Sequence, residues 1–278
     1  MLSCLCAPEL LLPYAHAAIV VGHPGHELKV FGWVSEHRPR IYVFTDGSGQ
    51  NGMSRLPATA NLASELGAER GEIFGAAADT RIYRAILDQD LSFFLHLLDT
   101  LAASFVRNSI DFVAGDASEG FNPTHDICRE LINGAVTMAE YAGKKPIPNY
   151  EFSLTEAEQS YPQSHDGSCM HMQLDNDLLR RKLQAARNYV ELSDEVQSAI
   201  ERYGEEYFAL ECMKKVSAPA VAHAHAAKPF YEMWGERRKA EGKYPLVIRY
   251  REHILPVVAA IRKRAGKREN LVPAMEHV

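Results

Sequence analysis

Three histidines in two short segments carry the strongest chemical signal in this chain. His23 and His26 stand in Gly22-His23-Pro24-Gly25-His26-Glu27, and His125 stands in Asn122-Pro123-Thr124-His125-Asp126. A Pro-Gly pair between two histidines makes a tight turn, so both rings can face one point. Histidine is a ready zinc ligand, and three protein ligands with one open position is the arrangement of a catalytic zinc centre. An ion held this way acidifies water and polarises a carbonyl. Carboxylates accompany the histidines: Asp46 in Thr45-Asp46-Gly47-Ser48-Gly49, and Asp116 and Glu119 in the stretch before His125. Arg55 follows the glycine-rich segment and suits an anionic or sugar group.

These residues need elements that bring them together. Ala17 to Gly22 is a short apolar, β-branched run ending in glycine, and Ile41 to Thr45 is a second, followed by the Asp-Gly turn signal. Both suit buried parallel strands. Glu72 to Phe74, Asp111 to Ala114 and Tyr150 to Leu154 read as three further strands. Glu27–Glu36, Leu56–Leu66, Leu91–Arg107 and Pro123–Tyr141 read as helices, the second ending at Gly67 and the last beginning at a proline. Strands alternating with helices predict an α/β fold: a Rossmann-like open, mostly parallel sheet with helices on both faces. In such sheets ligands bind beyond the carboxyl ends of the strands. All three polar segments follow strands, so the fold would gather them on one edge, and Asp79, after the third strand, would join them.

Beyond residue 155 the pattern changes. Thr155 to Asp175 is polar and loop-like, with His165 and His171 placed to form a flap over the site. Leu178 to Lys215 reads as a long helix broken near Ser193-Asp194 and Gly204, and the chain from Pro229 reads as helical. The expected division is a metal-binding core, 1–155, and a loop-rich, helical C-terminal extension, 156–278.

The strand followed by His-Pro-Gly-His-Glu, the strand followed by Thr-Asp-Gly-Ser-Gly, and Asn-Pro-Thr-His-Asp at a helix start resemble the PIG-L/LmbE-like zinc deacetylases, over about residues 17 to 155. That family removes acetyl groups from N-acetylglucosaminyl compounds on a Rossmann-like sheet. Its first motif is His-Pro-Asp-Asp-Glu, and its later motif is His-Pro-Asp-His. The resemblance implies zinc at His23 and His125, with His26 in place of the family's ligand aspartate. It also implies two departures. Gly25 stands where the family has its general base, and Asn122 stands where a histidine assists the developing oxyanion, a task an amide can share. Asp116, Glu119 and Asp46 are the candidates by position for the missing base, Asp116 first, while Glu27 is read as an anchor of the following helix.

Composition narrows the rest. A net charge of −6 gives no basic stripe for a phosphate backbone, so nucleic acid is excluded as a first reading. Five scattered cysteines, with no Cys-x-x-Cys pair, read as reduced thiols of a cytoplasmic protein. No stretch has the length of a membrane span, the N-terminus lacks the basic region of a secretory signal, and neither Gly-x-Gly-x-x-Gly nor a P-loop occurs. His223 and His225, and Cys4 and Cys6, are read as free of metal. The expectation is therefore a metal-dependent, zinc-type hydrolase acting on an amide, such as the N-acetyl group of a sugar. The residues assigned are His23, His26 and His125 for the metal, Asp116, Glu119 and Asn122 for catalysis, and Asp46, Arg55 and His165 for a small-molecule or glycoconjugate substrate. Homo-oligomers are compatible with this reading. The alternative is a non-catalytic relative that binds a glycan or metabolite.

Overall fold

The computed structural model describes residues 16–49, 52–143, 145–155, 168–216 and 228–267. Five strands run parallel: β1 (Ala17–Val21), β2 (Arg40–Thr45), β3 (Glu69–Ala77), β4 (Phe112–Asp116) and β5 (Asn149–Phe152). Two more, β6 (Cys169–Gln173) and β7 (Leu210–Lys215), extend the sheet antiparallel in the order β3-β2-β1-β4-β5-β7-β6. The expected open, mostly parallel sheet is what the chain forms.

The central strands are buried on both faces, which explains their nearly unbroken apolar sequence. All five residues of β1 and of β4 are buried. Side chains alternate between the two cores. Ala18, Val20, Tyr42, Phe44 and Val113 pack with α3 (Asp79–Leu87), α4 (Leu91–Arg107), α5 (Pro123–Gly143) and α9 (Leu255–Ala265). Ile19, Val21, Ile41, Val43 and Phe112 pack on the other face with α1 (Phe31–His37), α2 (Leu56–Leu66) and α6 (Asn176–Arg187). Each such aliphatic side chain is worth ~1.5–3 kcal/mol when fully buried. A one-residue slip of β1 would exchange its two faces, so the register is strongly specified. Local signals end the helices. Gly67, at φ 70°, closes α2, and the Asp90 carboxylate accepts from Phe93 N–H to cap α4.

Two expectations change, and one element is added. The helix read over Glu27–Glu36 is a 3-10 turn, His26–Val30, followed by α1. Residues 79–87 form a helix, α3, that joins the one-sided apolar set Ile82, Ala85 and Ile86 to the core. The long helix over Leu178–Lys215 breaks near both expected points, giving α6, α7 (Ser193–Tyr203) and a 3-10 turn, but it ends in strand β7, and the polar segment before it contains β6. Leu-Glu-Cys-Met-Lys-Lys and Cys-Met-His-Met-Gln contain no β-branched residue, so local propensity is silent there. Pairing to β5 makes β7, and β7 in turn templates β6. The C-terminal part thus shares the sheet, and α9 adds Val257, Val258 and Ile261 to the core. Beyond α8 (Phe230–Ala240), a π-helical turn, Tyr250–Ile254, runs into α9.

Candidate metal centre

The strand order reverses between β1 and β4, and chains leaving their carboxyl ends diverge. That leaves a crevice where open α/β sheets bind ligands. After β1 the chain enters the His23–His26 turn. Gly25 adopts φ 102°, a left-handed conformation that glycine takes without penalty. β4 ends on Asp116, and the loop after it leads to Asn122, Pro123 and the first turn of α5, which carries His125.

Three rings meet there. The ring centroids are 5.3 Å apart for His23 and His26, 5.1 Å for His23 and His125, and 4.7 Å for His26 and His125. Ligating atoms of His26, Asp116 and His125 all lie within 4.8 Å of one another. The three rings thus come together, but among the described residues the ligating groups close enough to share an ion are His26, Asp116 and His125, with the His23 ring packed against them.

Each donor is oriented by a neighbour. Asp116 is wholly buried; its Oδ2 accepts from Gly22 N–H at 2.8 Å and contacts His26 Nδ1 at 2.9 Å. His23 Nδ1 lies 2.8 Å from Thr45 Oγ1 and 3.0 Å from Asp79 Oδ1. Asp79 Oδ2 in turn accepts from Gly49 N–H at 2.6 Å. With Nδ1 so engaged, the other nitrogen of His23 is the one left to donate a lone pair, as in carboxylate–histidine–metal arrangements. His23 Nε2, His125 Nδ1 and Asp116 Oδ1 are all buried and without a hydrogen-bond partner. Buried polar atoms are rarely left unpaired. His125 and Asp116 belong, with His26, to the one group among the described residues whose ligating atoms lie close enough to share a cation.

Electrostatics agree. Burial holds the His23 and His125 imidazoles below their ordinary pKa, so both are neutral and able to ligate; the charge of His26 lowers His125 further, while Asp79 works to raise His23. Burial by itself would raise the Asp116 carboxyl, but the charge and hydrogen bond of His26 outweigh it and bring it to about 2. Asp116 is an ionised carboxylate at neutral pH.

The remaining candidates divide. Arg55 lies beside the cluster. Its Nε donates to Gly47 O at 3.0 Å, a side chain on Gly47 would collide with both Arg55 and Pro24, and its charge is felt at His125. Asp46 accepts from Ser48 N–H at 2.9 Å, which shapes the loop after β2. Glu119 has another task from the catalytic one expected. One oxygen accepts from Ser153 Oγ and Thr155 N–H and the other from Leu154 N–H, tying the β4–α5 loop to the chain leaving β5. Asn122 caps α5: its Oδ1 accepts from Thr124 N–H at 2.8 Å, and its Nδ2 donates one hydrogen to Tyr83 Oη at 3.3 Å. His165 lies outside the described residues, as do His223, His225, Cys4 and Cys6. His171 is on β6, where Cys212 Sγ lies 3.0 Å from its Nδ1.

Two further residues, Tyr189 and Leu192, support the turn and carry no signal in the sequence. Glu27, wholly buried, accepts from Gly25 N–H at 2.9 Å and from the hydroxyl of Tyr189, which also lies 3.0 Å from Thr59 Oγ1. Leu192 packs where a Cβ on Gly25 would project. Both come from the chain after α6, more than 160 residues beyond the turn they support, and no local pattern marks them.

No family model matches this chain, and no curated protein matches it. Solved structures do. A deacetylase triple mutant (Orf2*T) of the teicoplanin biosynthetic pathway shares 15% identity over 74% of this chain and 100% of its own, with a TM-score of 0.50. The zinc-inhibited form of teicoplanin deacetylase Orf2 shares 12% over 73% and 100%, at 0.48. The conserved protein TT1542 from Thermus thermophilus shares 17% over 76% and 99%, at 0.49. At these identities the likeness is one of fold, and it is to a deacetylase of the teicoplanin pathway that the α/β sheet described here is similar.

Proposed function

We propose that the chain is a metal-dependent hydrolase of amides, acting on an N-acetyl group of a sugar or related small metabolite. The observation that carries this reading is the set of unpartnered buried donors, His23 Nε2, His125 Nδ1 and Asp116 Oδ1, at the sheet's switch point. The likeness in fold to a deacetylase of the teicoplanin pathway points the same way.

His23, His26 and His125 would hold a divalent ion, zinc by the chemistry of an imidazole-rich set. Asp116 would supply the one anionic donor. A divalent ion held there would act as a Lewis acid toward water and the amide carbonyl. Asp116, bonded through Oδ2 to His26 Nδ1, would also orient the His26 ring. Asp79 and Thr45 fix the His23 ring, and Arg55 at the crevice wall would receive the polar or anionic part of the substrate.

The test is metal analysis of purified protein together with acetate release from N-acetylglucosamine. One ion per chain is expected, lost in His23→Ala and His125→Ala together with activity. One tight ion retained in either variant sinks the ligand assignment; metal retained without hydrolysis of any N-acetylated sugar sinks the activity.

A further inference from the structure

Exposed aromatic side chains gather on the loop that precedes His125 and on the helix bonded to it. Phe121, Phe230 and Trp234 keep 47%, 46% and 42% of their surface exposed. Their rings lie in a row, nearly parallel: Phe121 and Phe230 are 5.1 Å apart at 9°, and Phe230 and Trp234 are 6.2 Å apart at 16°. At 5.1 Å Phe121 and Phe230 overlap as offset rings and each covers part of the other, so the solvent-facing surface of the row is what remains of each ring. Arg237 and Arg238 lie over Trp234 at 5.9 and 5.5 Å.

The row is built onto the metal-site loop. Phe121 directly precedes Asn122, the cap of the helix that carries His125. Asp126, next to His125, accepts from both Glu119 N–H and Gly120 N–H and so fixes the loop that bears Phe121. Tyr231 N–H, at the start of α8, donates to Gly120 O at 3.4 Å, which ties the helix bearing Phe230 and Trp234 to the same loop.

We propose that Phe121, Phe230 and Trp234 form a stacking platform for the pyranose rings of a glycan or glycoconjugate whose N-acetyl group enters the metal centre. This rests on the hydrolase reading of that centre and extends it outward. The apolar C–H face of a pyranose meets the electron-rich face of an aromatic ring, while its hydroxyls lie at the edge, within the compass of the Arg237 and Arg238 guanidiniums. The size of the patch favours a small ligand over a second copy of the chain. Three rings of ~150–250 Å² each, about half exposed, offer roughly 300 Å², against the ~800 Å² per partner of a stable protein interface. A patch of that size on a monomer is commonly functional.

The chain has two tryptophans, and Trp33 is buried at 2% exposure, so a change in emission on adding sugar reports Trp234. Titration with N-acetylglucosamine and N,N′-diacetylchitobiose should give a saturable blue shift, stronger for the disaccharide. Phe230→Ala should weaken it about two- to tenfold, and Phe121→Leu, the milder change, should weaken it less while melting like the wild type. Trp234→Phe should abolish the signal. His125→Ala should keep the shift, so loss of the metal centre and loss of the platform read separately. No saturable shift up to the solubility of either saccharide overturns the proposal. So does a shift that depends on protein concentration without sugar, which would make this face a self-association surface.

Discussion

Leu192 occupies the space into which any side chain on Gly25 would project: a Cβ there would lie 2.8 Å from Leu192 Cδ1. Gly25 also holds φ 102°. The position where a deacetylase-like motif would carry its general base is thus disfavoured for any side chain by its backbone conformation, and crowded by the tip of a residue from the C-terminal part of the chain.

Gly25→Asp should therefore fail to add a base. A non-glycine residue in this conformation costs of order 1–3 kcal/mol, and the Leu192 side-chain tip would have to shift to admit it. The variant should melt lower than wild type with no gain in amide hydrolysis. A variant as stable as wild type and faster on N-acetylglucosamine would show that the space is open after all.

Asp79→Asn tests the orientation of His23. The carboxylate lies 3.0 Å from His23 Nδ1 and is itself held by Gly49 N–H. Loss of such an outer partner lowers metal affinity about 10–100-fold. Competition with a chelator of known affinity measures it, and unchanged affinity would assign the ring's orientation to Thr45 alone.

Metal removal should be visible in stability. A ligand that binds only the folded state stabilises it by ~4 kcal/mol at a thousand times its Kd. Zinc added to chelator-treated protein should raise the melting temperature, and His26→Ala should abolish the rise. An equal rise in His26→Ala would place the ion elsewhere.

The C-terminal part is anchored by a buried ion pair, Lys182 Nζ to Glu211 Oε1 at 2.9 Å. Glu211, on β7, also accepts from Gly32 N–H and Trp33 N–H of α1. Lys182→Met leaves that carboxylate buried with backbone donors alone and should cost about 3 kcal/mol, read as a lower urea midpoint. A change below the error of the denaturation curve would mean that the two amides suffice.

His37 gives a pH-dependent signature. Burial holds its imidazole below the ordinary value, against a smaller upward pull from Glu36. The unfolded chain then binds the proton more readily, so the contribution of His37 is present above about pH 6.5 and declines as pH falls below it. Comparing melting temperatures of wild type and His37→Gln at pH 8 and pH 5 isolates this group. The wild-type advantage should shrink at the lower pH; an advantage that grows would reverse the sign.

Much of this protein was legible locally. Ala-Ala-Ile-Val-Val and Arg-Ile-Tyr-Val-Phe-Thr are strands because β-branched, apolar runs bounded by turn residues can be buried on both faces. Once strands and helices alternate, the carboxyl edge of the sheet is where the segments after β1, β2 and β4 must lie. The meeting of His23, His26 and His125 follows from that rule. The capping role of Asn122 was equally local, although its place in the motif pointed to an oxyanion instead.

What remained depended on contacts between residues far apart in sequence. Asp116 Oδ2 reaches Gly22 and His26 across roughly 90 positions, and this is what makes it a partner of the cluster. β6 and β7 are strands because β5 offers an edge, which no propensity in their own residues records. Local periodicity determined which elements form and which end of the sheet collects the histidines. Only tertiary packing decided which atoms are desolvated and which stay unpaired, and those are the atoms that set charge, ligand geometry and the crowded space beside Gly25.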